Sequence, residues 1–385
     1  MIVDFFLLLW LLGLTVPVYW AAPHAGLRLC ILSCVSLLLL WTLSPLIPVT
    51  LVFYGFLIWG FARAQQSGVS ADTLRRMSWG VFLPLAVLEF VPAQWFVQGL
   101  LGQTALNAPT LVGFAFLGVS YTAIRAFILI RERVNGRGAS VLETTAGLTF
   151  FGSFVAGPIA GGKPWQDLQA TLKGRDMLIA FSRVFWGAAM LLALKPMVEG
   201  VDIAAVTGLA PDSRAVAWLS MYRGFLALYI DFSGYSDVAI GTALLYGVKL
   251  PENFNWPLRA TSIQEFWRRW HMSLGAFIGT YLFKPFVRSV GKPSRAIFLA
   301  FTAVGFWHSV TLPYFIWGVG HGAALALNMI LRKRYEKRIQ SGPRLVRWAN
   351  VGLGWVFTIS YVSFLSRFAN SSDIHEAWAF VTQLF

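Results

Sequence analysis

Long apolar runs fill this chain, at about 2–20, 27–44, 47–63, 78–100, 109–130, 177–197, 214–247, 294–310, 311–331 and 346–366. A helix of about 20 apolar residues spans a hydrocarbon core of about 30 Å. Inside lipid every backbone polar group needs an internal partner, which leaves only helices and closed barrels. A membrane barrel would show alternating segments of about ten residues, and these runs are continuous. The expected fold class is therefore all-α, a polytopic transmembrane helical bundle of about ten to eleven spans. Charge content agrees: 12% of residues are charged, where a soluble domain carries about 25%. The 17 tryptophans and 32 phenylalanines suit interfacial belts and a lipid-facing surface.

The formal charge of +14 does not point to nucleic acid. Its basic residues form short clusters between apolar runs: Arg63/Arg75/Arg76, Arg131/Arg133/Arg137, Lys163/Lys173/Arg175 and Arg332/Lys333/Arg334/Lys337/Arg338. Such clusters mark cytoplasmic loops. The loops at 101–108 and 198–213 are nearly free of them, with Arg214 just beyond. Threading the runs alternately satisfies every cluster if the N-terminus and the tail after Arg367 lie outside the cytoplasm. The opening Met1-Ile-Val-Asp4 has an acid where a secretory signal has a base, so it reads as a retained first helix. Cys30 and Cys34, one turn apart, read as two small core residues rather than a metal pair.

Two stretches depart from simple spans. Residues 141–162 are rich in Gly and Pro and read as a broken or re-entrant segment buried in protein. The run 214–247 is too long for one ordinary crossing, so it bends or continues past the membrane surface. No internal repeat or low-complexity linker divides the chain. One membrane-embedded domain, 1–385, is expected: peripheral helices at 1–108, a core at 109–331, and a C-terminal helix and tail at 332–385.

The chemistry-bearing residues gather in the second half. His321 sits within Tyr314–Ile330, roughly 10–15 Å from either end of that run at about 1.5 Å per residue. A titratable group at that depth is a functional-site candidate. The plainer alternative is a histidine that only bonds a neighbouring helix. Glycines 318, 320 and 322 leave room for a substrate, water or another backbone. His308, thirteen residues earlier beside Trp307, falls at the outer membrane edge, where an exposed histidine is cheap. Asp231, Ser233, Tyr235, Ser236 and Asp237 place two acids and three hydroxyls at membrane depth. They form either a polar interior or a network holding a bent helix. Pro251–Pro257, with Asn253 and Asn255, is a turn that lines a cavity or simply connects. Ser262 and Glu265 have capping-box spacing, and Ile263, Phe266, Trp267 and Trp270 fall at helical spacing. The segment Ser262–Gly275 reads as one interfacial amphipathic helix. Its Arg268 and Arg269 suit a donor's phosphates, or else anchor the helix at headgroups.

The strings DFSGYSDVAIG (231–241), PENFNWPL (251–258), FWRRWHMSL (266–274) and GFWH…WGVGHG (305–322) resemble the membrane-bound O-acyltransferases. The likeness is strongest to the bacterial branch of alginate O-acetylases and teichoic-acid D-alanyl transferases. FFGSFVAGPIAGG (150–162) is similar to that family's upstream Gly-Pro segment. The resemblance covers roughly 110–330. It implies a ring of helices around a central tunnel with the signature histidine, His321, at its narrowest point and His271 as the second required histidine. It also implies a thioester donor on the cytoplasmic side, with Trp267, Arg268, Arg269, Asn253 and Asn255 near it, and an acceptor outside. Two departures stand out. Phe286-Val-Arg-Ser-Val-Gly-Lys292 replaces the Gly-Gly-Asn-Arg loop of alginate-type members, and Trp307-His308-Ser309 replaces Trp-His-Gly.

The expected activity is O-acyl transfer from acetyl-coenzyme A, without a metal, to an envelope polysaccharide or an extracytoplasmic partner protein. The setting is a bacterial inner membrane. His321 is the expected base for the acceptor hydroxyl, and His271 is expected to position or polarise the thioester. No serine or cysteine nucleophile adjoins His321, which favours direct transfer. The alternative donor is a phosphopantetheinyl carrier protein delivering D-alanine to a teichoic-acid-like polymer. Two rivals of other classes are a transporter, which would commonly show repeated halves, and an anchoring subunit without turnover.

Overall fold

The computed structural model describes residues 2–43, 46–85, 109–340, 343–371 and 373–385. The run expected at 78–100 is described only to residue 85, and the loop 101–108 lies outside the described residues. Among the described residues there is no strand, and helices dominate. Five of them are long and apolar enough to cross a membrane: Ala25–Thr42, Ile47–Gln66, Gly174–Glu199, Leu312–Arg332 and Trp348–Ala369. The expected runs at 2–20, 109–130, 214–247 and 294–310 are also helical, as Ile2–Ala21, Pro109–Val134, Arg214–Leu245 and Pro293–His308.

Contacts divide the chain into two compact units. The first comprises 1–192 and 234–251, the second 193–233 and 252–385. In the first lie α1 (Ile2–Ala21), α2 (Ala25–Leu43), α3 (Leu46–Gln66), α4 (Ala71–Met77), α5 (Pro109–Val134), α6 (Val141–Thr149) and α7 (Gly174–Ala189). Its core joins Tyr19, Leu32, Phe150, Trp165 and Tyr246. Cys30 is half-buried and Cys34 exposed, so the pair does not form the small core contact expected.

Residues 141–162 fold as α6 followed by irregular chain, and buried side chains hold them. Ser140 and Glu143 close a capping box at the start of α6. The buried Arg125 then donates to the Gly147 carbonyl and the Ser153 hydroxyl, both at 3.3 Å. Tyr235 accepts the backbone N–H groups of Val155 and Ala156 through its hydroxyl oxygen. The Glu132 carboxylate accepts the N–H of Gly162 at 2.8 Å. Irregular backbone thus finds protein partners, as it must where water is absent.

The second unit holds α8 (Lys195–Glu199), the first part of α9 (Arg214–Leu245), α10 (Ile263–Arg269), α11 (Met272–Phe277), α12 (Lys284–Val290), α13 (Pro293–His308), α14 (Leu312–Gln340), α15 (Arg344–Ala369) and α16 (Ile374–Leu384). The helix α9 is unbroken over 32 residues, roughly 48 Å at about 1.5 Å per residue. It exceeds the hydrocarbon thickness by continuing rather than by breaking. The π-helical turns Met190–Leu194 and Ile278–Phe283 each end two residues before a proline, Pro196 and Pro285. A proline ring clashes with the carbonyl four residues back, and a widened turn relieves that clash without ending the helix.

Candidate active site

The helix α10 starts as its sequence dictates. Ser262 accepts the N–H of Glu265 through its hydroxyl oxygen at 3.2 Å. The Glu265 carboxylate reaches back to the N–H and hydroxyl of Thr261 at 2.9 and 3.0 Å. Ile263, Phe266, Trp267 and Trp270 are buried and Arg268 is exposed, which gives the amphipathic division expected. The helix does not run on, however. It ends at Arg269, and His271 takes a left-handed backbone conformation with φ 42° before α11 begins.

This break has a cause outside the segment. The turn Pro251–Pro257 lies beside it and supplies the partners a helix would have provided. Asn255 donates its N–H to the Arg269 carbonyl at 2.9 Å, and Met272 donates its own to the Asn253 carbonyl at 2.9 Å. Ser273 donates to the side-chain oxygen of the fully buried Asn253 at 2.6 Å. The asparagine-rich turn is thus a clamp on the His271 break. Among the described residues only Trp256 and His271 combine a side chain with positive φ, and both belong to this junction. Such strained positions collect at functional sites.

His321 lies on α14 and is buried. The indole Nε1 of Trp267 donates to its Nδ1 at 3.2 Å. The edge of Trp317 meets its ring at a centroid distance of 4.8 Å, and Phe301 and Tyr361 each lie at 6.4 Å. The flanking glycines serve helix approach. A Cβ on Gly318 would lie 2.7 Å from the Phe301 carbonyl, and one on Gly322 would lie 2.8 Å from that of Phe298. Of the three uses open in the sequence, another backbone is the one realised there.

His308 is half-buried rather than exposed at an edge. It stacks on Tyr314 at 5.5 Å and meets Trp317 edge-on at 5.3 Å, so one indole touches both His308 and His321. Trp307 packs against His308 at 4.5 Å. His271 is buried with its ring edge-on to Phe232 at 4.7 Å.

The polar run on α9 resolves into separate pairings. Lys195 meets Asp231 at 2.9 Å and Arg183 meets Asp237 at 2.8 Å. Ser233 donates to the Tyr229 carbonyl at 2.6 Å. Tyr235 holds the irregular segment after α6, and Ser236 is buried. Of the two arginines on α10, Arg269 is bound to Glu265 and to the Asn255 carbonyl, leaving Arg268 as the exposed guanidinium. Burial alone would push the Glu265 carboxyl up. Bonds from the Thr261 N–H, Arg269 and the Thr261 hydroxyl outweigh this and hold it below the usual carboxylate range.

Sequence reasoning missed Phe301, Trp317 and Tyr361 around His321. Trp317 was within reach, because residues four apart share a helix face. Phe301 and Tyr361 come from α13 and α15, and no local spacing announces them.

Residues 132–367, a stretch holding every one of these site residues, match the membrane-bound O-acyltransferase family. The chain belongs to that family. Among curated relatives, a peptidoglycan O-acetyltransferase of Helicobacter pylori is 38% identical over 37% of this chain and 28% of its own length. A probable alginate O-acetylase of Azotobacter vinelandii is 26% identical over 97% of this chain and 76% of its own length. A teichoic acid D-alanyltransferase of Bacillus subtilis is 28% identical over 65% of this chain and 67% of its own length. The match to the Helicobacter protein therefore covers under a third of that relative. The family is one of acyltransferases, its relatives here include O-acetyltransferases, and this chain carries five helices apolar and long enough to cross a membrane among its described residues.

Proposed function

We propose that this protein moves an acyl group, acetyl first, from a thioester donor on the cytoplasmic side to a hydroxyl of an envelope polysaccharide or of an exporting partner. The observation that carries the reading is His321, buried among aromatic rings with one ring nitrogen fixed by Trp267, inside the family-matched stretch. His271, held in a strained junction on the same unit, supplies the second imidazole. Between them they divide two tasks, polarising the thioester carbonyl and taking the acceptor's proton. Arg268, exposed beside this junction, suits the phosphates of coenzyme A.

The D-alanyl relative supports a second donor, a carrier-protein thioester. It would use the same histidines and offer a phosphate arm to the same arginine. The orientation read from the basic clusters puts the donor on the bacterial cytoplasmic face and the acceptor outside.

The deciding experiment offers purified protein in lipid acetyl-coenzyme A labelled on its acetyl group. Release of coenzyme A and transfer of label are followed for wild type and His321→Ala. Turnover in wild type and its loss in the variant, at equal membrane levels, are expected. Full activity in His321→Ala would sink the catalytic assignment. Silence in wild type would turn the search to a carrier-protein donor.

A further inference from the structure

We propose that Trp267 is the positioning residue of His321, holding its imidazole in the tautomer that carries the proton on Nε2, so that His321 meets the acyl carbonyl as a hydrogen-bond donor. The argument starts from what each atom can do. Indole Nε1 is a donor only. Its bond to Nδ1 of His321, at 3.2 Å, therefore occupies a lone pair on Nδ1. An imidazolium has no such lone pair, and a neutral imidazole has only one proton to place. That proton sits on Nε2.

The indole is not free to leave. Trp267 is buried, with its ring edge-on to Phe301 at 4.6 Å, to Trp317 at 5.9 Å and to Phe266 at 6.0 Å. The helix that carries it is capped by Ser262 at one end and clamped by the Asn253–Asn255 turn at the other. On the opposite side, the Tyr361 hydroxyl donates to the Gly320 carbonyl at 2.9 Å and so fixes α14 one residue from His321. Nε2 is the ring nitrogen left to meet substrate, and in this tautomer it gives a hydrogen bond rather than taking a proton.

The inference rests on the acyl-transfer reading and reverses the expected division of labour. The acceptor oxygen attacks the thioester carbon while Nε2–H of His321 bonds the oxygen that gains charge. The C–O bond forms and the C–S bond breaks. The acceptor's proton passes to a second base, the role assigned to His271, buried in the same unit, and from there to the departing thiolate. His321 ends the cycle with the proton it began with.

The test reads the tautomer directly. The chain has five histidines, so a difference between the nitrogen-15 NMR spectra of histidine-labelled wild type and His321→Gln in lipid isolates one ring. A protonated Nε2 and a bare Nδ1 are expected in wild type. In Trp267→Phe the signal should divide between both tautomers. Turnover of labelled acetyl-coenzyme A should fall about 10- to 100-fold in kcat with little change in KM. A proton on Nδ1 in wild type overturns the proposal whatever the activity, as does unchanged kcat in folded Trp267→Phe. If that variant fails to fold, the wild-type spectrum decides alone. Because the spectrum needs no turnover, a wild type silent with both acetyl-coenzyme A and a carrier-protein thioester would sink the acyl-transfer reading without touching the tautomer.

Discussion

Arg268 and Arg269 are neighbours in sequence with different fates in the fold. Arg269 is spent on Glu265 and on the clamp at Asn255, whereas Arg268 is exposed. Arg268→Ala should therefore raise KM for acetyl-coenzyme A about tenfold and leave kcat nearly unchanged, the weight of one exposed phosphate contact. Raising salt in the wild-type assay should erode the same affinity, so a salt-independent KM would argue against a phosphate contact. Glu265→Gln should instead lower stability, on the order of 1 kcal/mol at neutral pH after allowance for partial exposure. A carboxyl held below its ordinary value of 4.5 contributes fully above that pH, and the contribution fades as pH falls through the depressed folded value. Thermal unfolding of wild type and variant should converge once the pH has fallen below that depressed folded value. At this scale the sequence was informative wherever the partner is local. Ser262 with Glu265 announced the start of α10, whereas His321 is a candidate by its depth alone and its partner Trp267 lies 54 residues away. The break at His271 was illegible because no glycine or asparagine marks position 271 and the apolar spacing runs on through Trp270. Its cause lies in a turn some fifteen residues upstream, and only the fold brings that turn alongside.

Among the elements, α13 and α14 show how a readable feature can have an unreadable partner. The spacing Gly318-Val-Gly-His-Gly322 is a close-approach signal in lipid, and the backbone it admits belongs to α13. A Cβ on Gly305 would lie 2.5 Å from the Tyr314 carbonyl, and Gly318 faces both Gly305 and Phe301. Gly318→Val must push the two helices apart, at a cost of about 1–3 kcal/mol for overpacking. Since Phe301 and His321 ride on those helices, turnover should fall together with the melting temperature. Gly352→Ala is the control: nothing lies within 4 Å of a Cβ there, so stability should hold or rise by up to about 1 kcal/mol. Equal losses in both variants would mean that helix propensity, and not helix approach, governs these glycines. Helix existence followed from apolar length, with α13, α14 and α15 falling close to their expected runs. The helix α16 was missed because the chain after Arg367 was read as a tail. Its cap was visible, since Asp373 accepts the N–H of Glu376 at 2.9 Å, three residues on. Arg367 then lies 4.3 Å over the Phe380 ring, a pairing of distant residues that no local pattern reveals.

For the whole molecule the open physical question is which face meets the donor, and its charges argue one answer. Acids on α9 are neutralised in place, Asp231 by Lys195 and Asp237 by Arg183, so they do not bear on orientation. What remains is the loop asymmetry. Arg63, Arg75 and Arg76 surround the exposed turn at Ser67, while the loop 198–213 carries Glu199, Asp202 and Asp212 and no basic residue. Short basic loops stay in the cytoplasm. On that rule Ser67 is expected inside and Ala210, exposed in the acidic loop, outside. Single cysteines at these two positions, in a background lacking Cys30 and Cys34, should react with an impermeant maleimide from opposite sides. Ala210→Cys should label in intact cells and Ser67→Cys only after the membrane is opened. The result governs the chemistry as well as the topology, because coenzyme A and carrier proteins are cytoplasmic donors and an envelope polymer is an outside acceptor. Labelling of both from one side would leave donor and acceptor on the same face, and transfer across the membrane would then fail as a description of this protein even if His321→Ala abolished turnover.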